Sequence, residues 1–236
     1  MSAAGFDETW FYAPIADGAK FAALPEDEAS HATRVLRLKP GTEIVVTSGE
    51  GSVYKARLTD ERGAFEVLEQ LRRDPEPPGW GVGLPLLRGR DTEQPAEGIC
   101  EFDVRDIFLL VTDHSSEFKG QDFSRLVERL RQKSLVALKQ AKKSWLTRIH
   151  APQELKAWRA AHAGTPLVVA HPGDDSAPSP LPAKLHLLTG PEGGFSVAEI
   201  EWLFGEAGAR RLPLGPTRLR AVHAPLVALG ALTAKA

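Results

Sequence analysis

Six residues, Asp74-Pro75-Glu76-Pro77-Pro78-Gly79, separate two kinds of text in this chain. Prolines and a glycine at that density stop any helix or strand that reaches them. From Phe6 to about Arg73 the chain consists of short strand-like runs with turn signals between them. Glu43-Ile44-Val45-Val46-Thr47-Ser48 and Ser52-Val53-Tyr54-Lys55-Ala56-Arg57-Leu58 flank Gly49-Glu50-Gly51 and read as a hairpin, and Ala64 to Leu71 supplies another apolar run. Such spacing predicts a small β-barrel or sandwich. Beyond Gly79 strands and helices alternate. The strand candidates are Gly81 to Leu87, Asp106 to Thr112, Pro166 to Ala170 and Leu185 to Thr189. The helix candidates lie near Glu93 to Glu101, Asp122 to Lys143, Pro152 to His162, Val197 to Ala207 and Ala221 to Ala234. That alternation predicts a mostly parallel α/β sheet. His171 to Lys184, rich in Pro, Asp and Ser, reads as a long surface loop.

The length of 236 residues allows one large domain or two small ones. With 29 basic and 31 acidic residues the chain is no polycation, so nucleic-acid binding would need a local patch. One cysteine, Cys100, excludes a disulfide framework and a multi-cysteine zinc site, and no metal is expected. No run approaches the roughly 18 to 20 apolar residues that span a bilayer. The first eight residues lack a basic region followed by an apolar one, so a soluble, cytoplasmic protein is expected.

The most informative segment of the second half is Leu187-Leu188-Thr189-Gly190-Pro191-Glu192-Gly193-Gly194-Phe195-Ser196. A strand-like run enters a loop whose glycines let backbone approach a bound molecule. Ser196-Val197-Ala198-Glu199 then reads as a capping box that opens a helix. The spacing is not G-x-G-x-x-G, and no Lys-Ser/Thr follows, so neither common nucleotide loop is present. Taken alone, the segment reads first as a tight strand-to-helix turn and only second as a ligand cradle.

A helix from Asp122 carries a small or apolar stripe at Val127, Leu130, Ser134, Leu138, Ala141 and Trp145, with Arg125, Arg129, Lys133, Lys139 and Lys143 on its other side. Between Arg125 and Arg148 eight basic residues meet one acidic residue, Glu128. Such a face is either solvated or neutralises phosphates. His31-Ala32-Thr33-Arg34-Val35-Leu36-Arg37-Leu38-Lys39 forms a second basic cluster ahead of the hairpin.

Three segments together resemble the RsmE family of ribosomal RNA methyltransferases. They are His31-x-x-x-Val35-Leu36-Arg37 with Gly41, Gly190-Pro191-Glu192-Gly193-Gly194-Phe195-Ser196 with Glu199 and Glu201, and Leu214-Gly215-Pro216-Thr217-Arg218-Leu219-Arg220. Lys133, Gln140 and Lys143-Ser144-Trp145 are similar to that family's basic helix and the strand after it. The resemblance implies a PUA-like β-barrel RNA-binding domain over residues 1–73 and an α/β SPOUT domain over residues 79–236. SPOUT domains carry a deep trefoil knot, a rare exception to the rule against threaded loops. It further implies a cytoplasmic homodimer that uses S-adenosylmethionine to methylate N3 of a uridine in small-subunit (16S) rRNA. The donor would lie among Ala170, His171 and Pro172; Thr189, Gly190, Pro191, Glu192, Gly193 and Gly194; and Leu214, Gly215, Arg218 and Leu219. RNA would meet His31, Arg34, Arg37, Arg129, Lys133 and Lys143, and Arg220 would stabilise the uracil anion.

The tail departs from the family, which usually reads Arg-Ile-Leu-Arg-Thr-Glu-Thr-Ala where this chain has Thr217-Arg218-Leu219-Arg220-Ala221-Val222-His223-Ala224. His223 either replaces the lost Glu as a base or is a helix N-terminal residue with no chemical task. After Leu84-Pro85 the stretch Leu86-Leu87-Arg88-Gly89-Arg90-Asp91 also departs, since the family tends to place a Lys there. Three readings follow: a diverged but active enzyme, a paralogue with another RNA target, or an assembly factor that binds RNA and donor without turnover.

Overall fold

A computed structural model describes residues 9–234. Residues 1–8, including the expected strand start at Phe6, lie outside the described residues. The chain packs as two units. The first is the chain through Glu76 together with Leu135–Leu146; the second is Pro77–Ser134 and the chain from Thr147 onward.

The first unit runs β1 (Trp10–Tyr12), β2 (Phe21–Ala23), α1 (Glu26–Ser30) continuing into a π-helical turn (His31–Val35), β3 (Glu43–Thr47), β4 (Ser52–Leu58) and β5 (Ala64–Arg73). Its five-stranded sheet has the order β1-β3-β4-β5-β2, and every pairing is antiparallel except β1 with β3. Alternate positions, Ile44 and Val46 on β3 and Ala56 and Leu58 on β4, enter one core with Phe11, Phe65 and the helical Ala29 and Ala32. The expected β3–β4 hairpin is present, with Val46 opposite Tyr54. At Gly51 (φ +96°) a Cβ would come within 2.7 Å of the Trp145 ring, so only glycine lets the indole lie on the hairpin. Trp145 Nε1 donates to the Asp74 carbonyl at 3.2 Å, and Thr47 Oγ1 donates to that of Lys143 at 3.1 Å. These contacts tie Leu135–Leu146 to the N-terminal strands.

The second unit contains β6 (Gly79–Pro85), α2 (Glu93–Ile99), β7 (Asp106–Val111), a 3-10 turn (Asp113–Phe118), most of α3 (Ser124–Gln140), β8 (Arg148–Glu154), α4 (Leu155–Ala161), β9 (Leu167–Ala170), β10 (Lys184–Leu188), α5 (Val197–Phe204), β11 (Arg210–Leu212) and α6 (Ala224–Thr233). Its sheet, ordered β11-β9-β10-β6-β7-β8, is parallel throughout. Burial on both faces explains the unbroken apolar run Ile107–Val111 and the burial of all of Leu185–Leu188, His186 included. Several expected boundaries move. β8 and β11 were not among the strand candidates, and the helix expected from Pro152 starts at Leu155. Pro152 sits on an edge strand at a register shift, between His150 and Gln153, where a missing N–H is tolerated. α3 stops at Gln140, so Ala141 is exposed rather than part of the buried stripe Val127, Leu130, Ser134 and Leu138.

On β6 the glycines at 81 and 83 open a trough: a Cβ at Gly81 would come within 2.7 Å of Phe108 and 2.9 Å of His186. Phe108 stacks on His150 (4.5 Å between ring centres) and meets His162 (4.9 Å), His186 (5.2 Å) and Trp158 (5.7 Å). Burial, reinforced by His162, pushes the His186 pKa down from 6.5 to about 4. Between those values the unfolded chain binds a proton that the folded one refuses, so His186 subtracts stability as pH falls from about 6.5 to 4, by roughly 3 kcal/mol in full. Urea midpoints should therefore fall between pH 7 and pH 4.5 in the wild type and fall less in His186→Gln. An identical fall in both would refute the assignment.

Candidate functional site

In a parallel sheet all strands end on one side, and the loops leaving those ends form the natural crevice for a ligand. Here the loops after β9, β10 and β11 surround a cavity of about 1020 Å³, with the segment after β6 closing it near Asp91.

The middle wall is the glycine loop. Gly194 (φ +74°) turns the chain, and its N–H bonds the Pro191 carbonyl at 2.9 Å. At Gly190 a Cβ would come within 3.3 Å of the Phe195 ring. Ser196 caps α5 in the expected box: its Oγ accepts from Glu199 N at 3.1 Å, and Glu199 Oε2 accepts from Ser196 N at 2.9 Å. The buried Glu199 carboxylate also accepts from Asp113 N at 2.9 Å, while Ser196 Oγ donates to Asp113 Oδ2 at 2.6 Å. His114 Nδ1 lies 2.9 Å from the Gly194 carbonyl, which can only accept, so Nδ1 carries the proton. The 3-10 turn after β7 thus holds the loop from behind.

Ala170, His171 and Pro172 form one wall, Gly190, Pro191, Glu192 and Gly194 the second, and Leu214, Gly215, Arg218 and Leu219 the third. Arg218 donates to the Glu192 carbonyl at 3.1 Å and so ties the third loop to the second. Two expected donor residues stand apart from the cavity lining. Thr189 is fully buried, with its Oγ1 unpartnered among the described residues, and Gly193 packs against His114, where a Cβ would come within 3.1 Å of Nδ1. Arg220 and His223 both line the cavity and are exposed. The Arg220 guanidinium has no hydrogen bond or ion pair to any described residue. His223 is the N-cap residue of α6, its N–H bonding the Arg220 carbonyl at 3.0 Å.

Residue-by-residue reading of the sequence missed Asp91 and Gln94, which enter the cavity from the loop after β6 and the first turn of α2, and Phe195 and Ile200, which add apolar wall. The signal for Asp91 was available only through the adjacency of β6 and β10 in the sheet.

The basic candidates divide. His31, Arg34 and Arg37 are exposed on and just after the π-helical turn of the first unit, Arg37 at φ +53°. Lys143, also in the first unit, is half-buried. In the second unit Arg129 pairs with Glu93 at 3.1 Å and Lys133 with Glu97 at 2.5 Å. Hydrogen bonds from Arg90 and then Arg129 hold the buried Glu93 carboxyl below the usual range against the opposing effect of burial. Lys139 pairs with Glu28 within the first unit. Much of the α3 charge is therefore met by carboxylates from elsewhere in the chain. Among the described residues no group of His, Cys, Asp and Glu is placed to hold a metal, and no helix is long and apolar enough to cross a membrane.

A parallel sheet with a loop-walled cavity at its carboxyl ends in one unit, and a small mainly antiparallel sheet in the other, define the class. Residues 76–233 match the family model of the RNA methyltransferase domain, and residues 24–69 match that of the RNA methyltransferase PUA domain. The chain belongs to the RsmE family of RNA methyltransferases, with a PUA-like β half-barrel followed by a parallel-sheet SPOUT domain. It is 30% identical over 216 residues to the ribosomal RNA small subunit methyltransferase E of Synechocystis sp., covering 85% of this chain and 69% of that protein. Identity to the protein of the same name from Mycobacterium tuberculosis is 29%, over 92% and 88% of the two chains. Among solved structures, a Legionella pneumophila protein in complex with SAM superposes with a TM-score of 0.82 at 22% identity, over 96% of this chain and 97% of that one. The Neisseria gonorrhoeae ribosomal RNA small subunit methyltransferase E bound to S-adenosyl methionine gives 0.79 at 23% identity, over the same shares. These two likenesses establish the fold.

Proposed function

We propose that this chain transfers the methyl group of S-adenosylmethionine to N3 of a uridine in small-subunit rRNA. In this reading residues 1–73 are the RNA-binding domain and residues 79–236 the methyltransferase domain, with its three loops closed as a trefoil knot. The observation that carries it is the convergence of the loops after β9, β10 and β11 on one cavity of about 1020 Å³. A cavity of that size accepts a nucleoside-sized molecule. Its residues fit the donor: Leu214, Leu219, Phe195 and Ile200 offer apolar wall for an adenine ring, and the Glu192 carboxylate suits a cationic ligand. The names of the relatives and the SAM held by the structural neighbours support the same assignment.

The donor supplies an electrophilic methyl group on a sulfonium. What remains for the protein is to present the base, remove the N3 proton and hold the negative charge that spreads onto the uracil carbonyls. Arg220 suits the last task, because it lines the cavity and its guanidinium is engaged by no described residue. His223, at the head of α6, fits the role of an N-terminal helix residue. A homodimer in the cytoplasm belongs to this reading. α6 is apolar on every side, yet Val227 and Gly230 are exposed, leaving a face that a second copy would cover.

Nucleoside mass spectrometry of small-subunit rRNA tests the proposal. Deleting the gene should abolish one N3-methyluridine, and the wild-type gene should restore it. Undiminished N3-methyluridine in the deletion strain would sink the proposal, and retained donor binding with that outcome would favour an assembly factor.

A further inference from the structure

The cavity carries two carboxylates, and they differ in what they already hold. Glu192 Oε1 accepts from the backbone N–H of Arg88 at 3.3 Å, and its carbonyl accepts from Arg218. Asp91 bonds only through its backbone N–H, to the Arg88 carbonyl at 3.2 Å; its exposed side chain takes no hydrogen bond or ion pair from any described residue. Its cationic neighbours in sequence are engaged elsewhere, Arg88 with Glu117 and Arg90 with Glu93, both at 3.3 Å. The other charged or titratable groups on the cavity are Arg218, Arg220, His171 and His223.

An uncommitted carboxylate and an uncommitted guanidinium in one cavity match the edge of uracil, which offers one donor, N3–H, between two carbonyl acceptors. Cytosine has an acceptor at N3, which a carboxylate repels. We propose that Asp91 accepts the N3 proton of the target uridine, an inference that rests on the function proposed above. The N3–H bond breaks, its electron pair stays on nitrogen, and the proton passes to a carboxylate oxygen of Asp91. N3 then bonds to the methyl carbon while the carbon–sulfur bond breaks, leaving its pair on sulfur. In neutral uracil the N3 lone pair is delocalised into the two carbonyls; the pair that attacks is the one left in the ring plane where the N3–H bond was, so the proton has to leave before the methyl carbon can bond there. Asp91, open to water, passes its proton to solvent.

Asp91→Asn is expected to lower kcat on small ribosomal subunits from the deletion strain by on the order of 10²-fold or more. Its Kd for S-adenosylmethionine, measured by calorimetry, should be unchanged. The residual rate should climb about tenfold per pH unit as hydroxide replaces the carboxylate, whereas the wild-type rate stays flat near neutrality. A readout independent of turnover is binding, with S-adenosylhomocysteine present, of an RNA hairpin carrying the mapped uridine or cytidine in its place. The wild type should prefer uridine by about tenfold, Asp91→Asn should lose that preference, and Asp91→Glu should regain part of it. An unchanged kcat in Asp91→Asn, a loss of donor affinity in step with kcat, or a wild type indifferent to uridine and cytidine overturns the assignment of Asp91. A wild type that makes no N3-methyluridine overturns the functional reading itself.

Discussion

Replacing Arg220 by alanine is expected to lower the rate of methyl transfer on the order of 10²–10³-fold while leaving the affinity for S-adenosylmethionine intact. The magnitude is that of removing one preorganised donor from a developing anion. In the proposed reaction loss of the N3 proton spreads negative charge onto the uracil carbonyls, and Arg220 offers a guanidinium that no described residue engages, while Arg218 is bound to the Glu192 carbonyl. Arg220→Lys should recover only part of the rate, because an ammonium is a point charge without the fork of donors. Arg218→Ala should act differently, loosening the tie between the second and third loops and weakening donor binding. Single-turnover rates and calorimetric Kd values for the three variants separate these effects. A weakened donor Kd in Arg220→Ala with an unchanged rate would place Arg220 on the donor instead of the base.

Trp158→Ala should cost roughly 3–5 kcal/mol of unfolding free energy, the range for truncating a large buried aromatic. Trp158 is fully buried and packs on Phe108 and His186, with ring centres at 5.7 and 5.2 Å. The β6 glycines that make room for this cluster carry no side chain that could fill the vacated volume. Trp158→Phe should cost much less, since it keeps an aromatic ring and removes an indole Nε1 that has no partner among the described residues. Urea titrations with a common m value give both differences directly.

The glycine loop and its capping box were legible because each depends on neighbours in sequence: Ser196 and Glu199 need only one helical turn to meet. The same holds for the Gly49–Gly51 hairpin. What could not be read depends on pairing between distant segments. β8 carries a proline and a register shift, features that hide a strand from periodicity and are tolerated only because it lies at a sheet edge. The basic stripe of α3 read either as a solvated face or as a phosphate surface, and its ion pairs were hidden because Glu93 and Glu97 answer Arg129 and Lys133 from 36 positions away. Asp91 looked like one more loop residue until β6 was found beside β10. Thr189 and Gly193, adjacent in sequence to lining residues, are turned away from the cavity by the same local geometry that positions their neighbours.

The pairing of β6 with β10 also bears on how the protein is made. Gly79–Pro85 leaves the ribosome about a hundred residues ahead of Lys184–Leu188. At ~5–20 residues per second the nascent chain carries a half-paired, apolar strand edge for roughly 5–20 s. Until β10 arrives, the edge is a template for the wrong strand, whether from the same chain or from a neighbour. Slowed translation after residue 111 should lengthen that exposure and raise the demand for chaperones, at a stage when the loops after β9, β10 and β11 that will wall the cavity have yet to be synthesised.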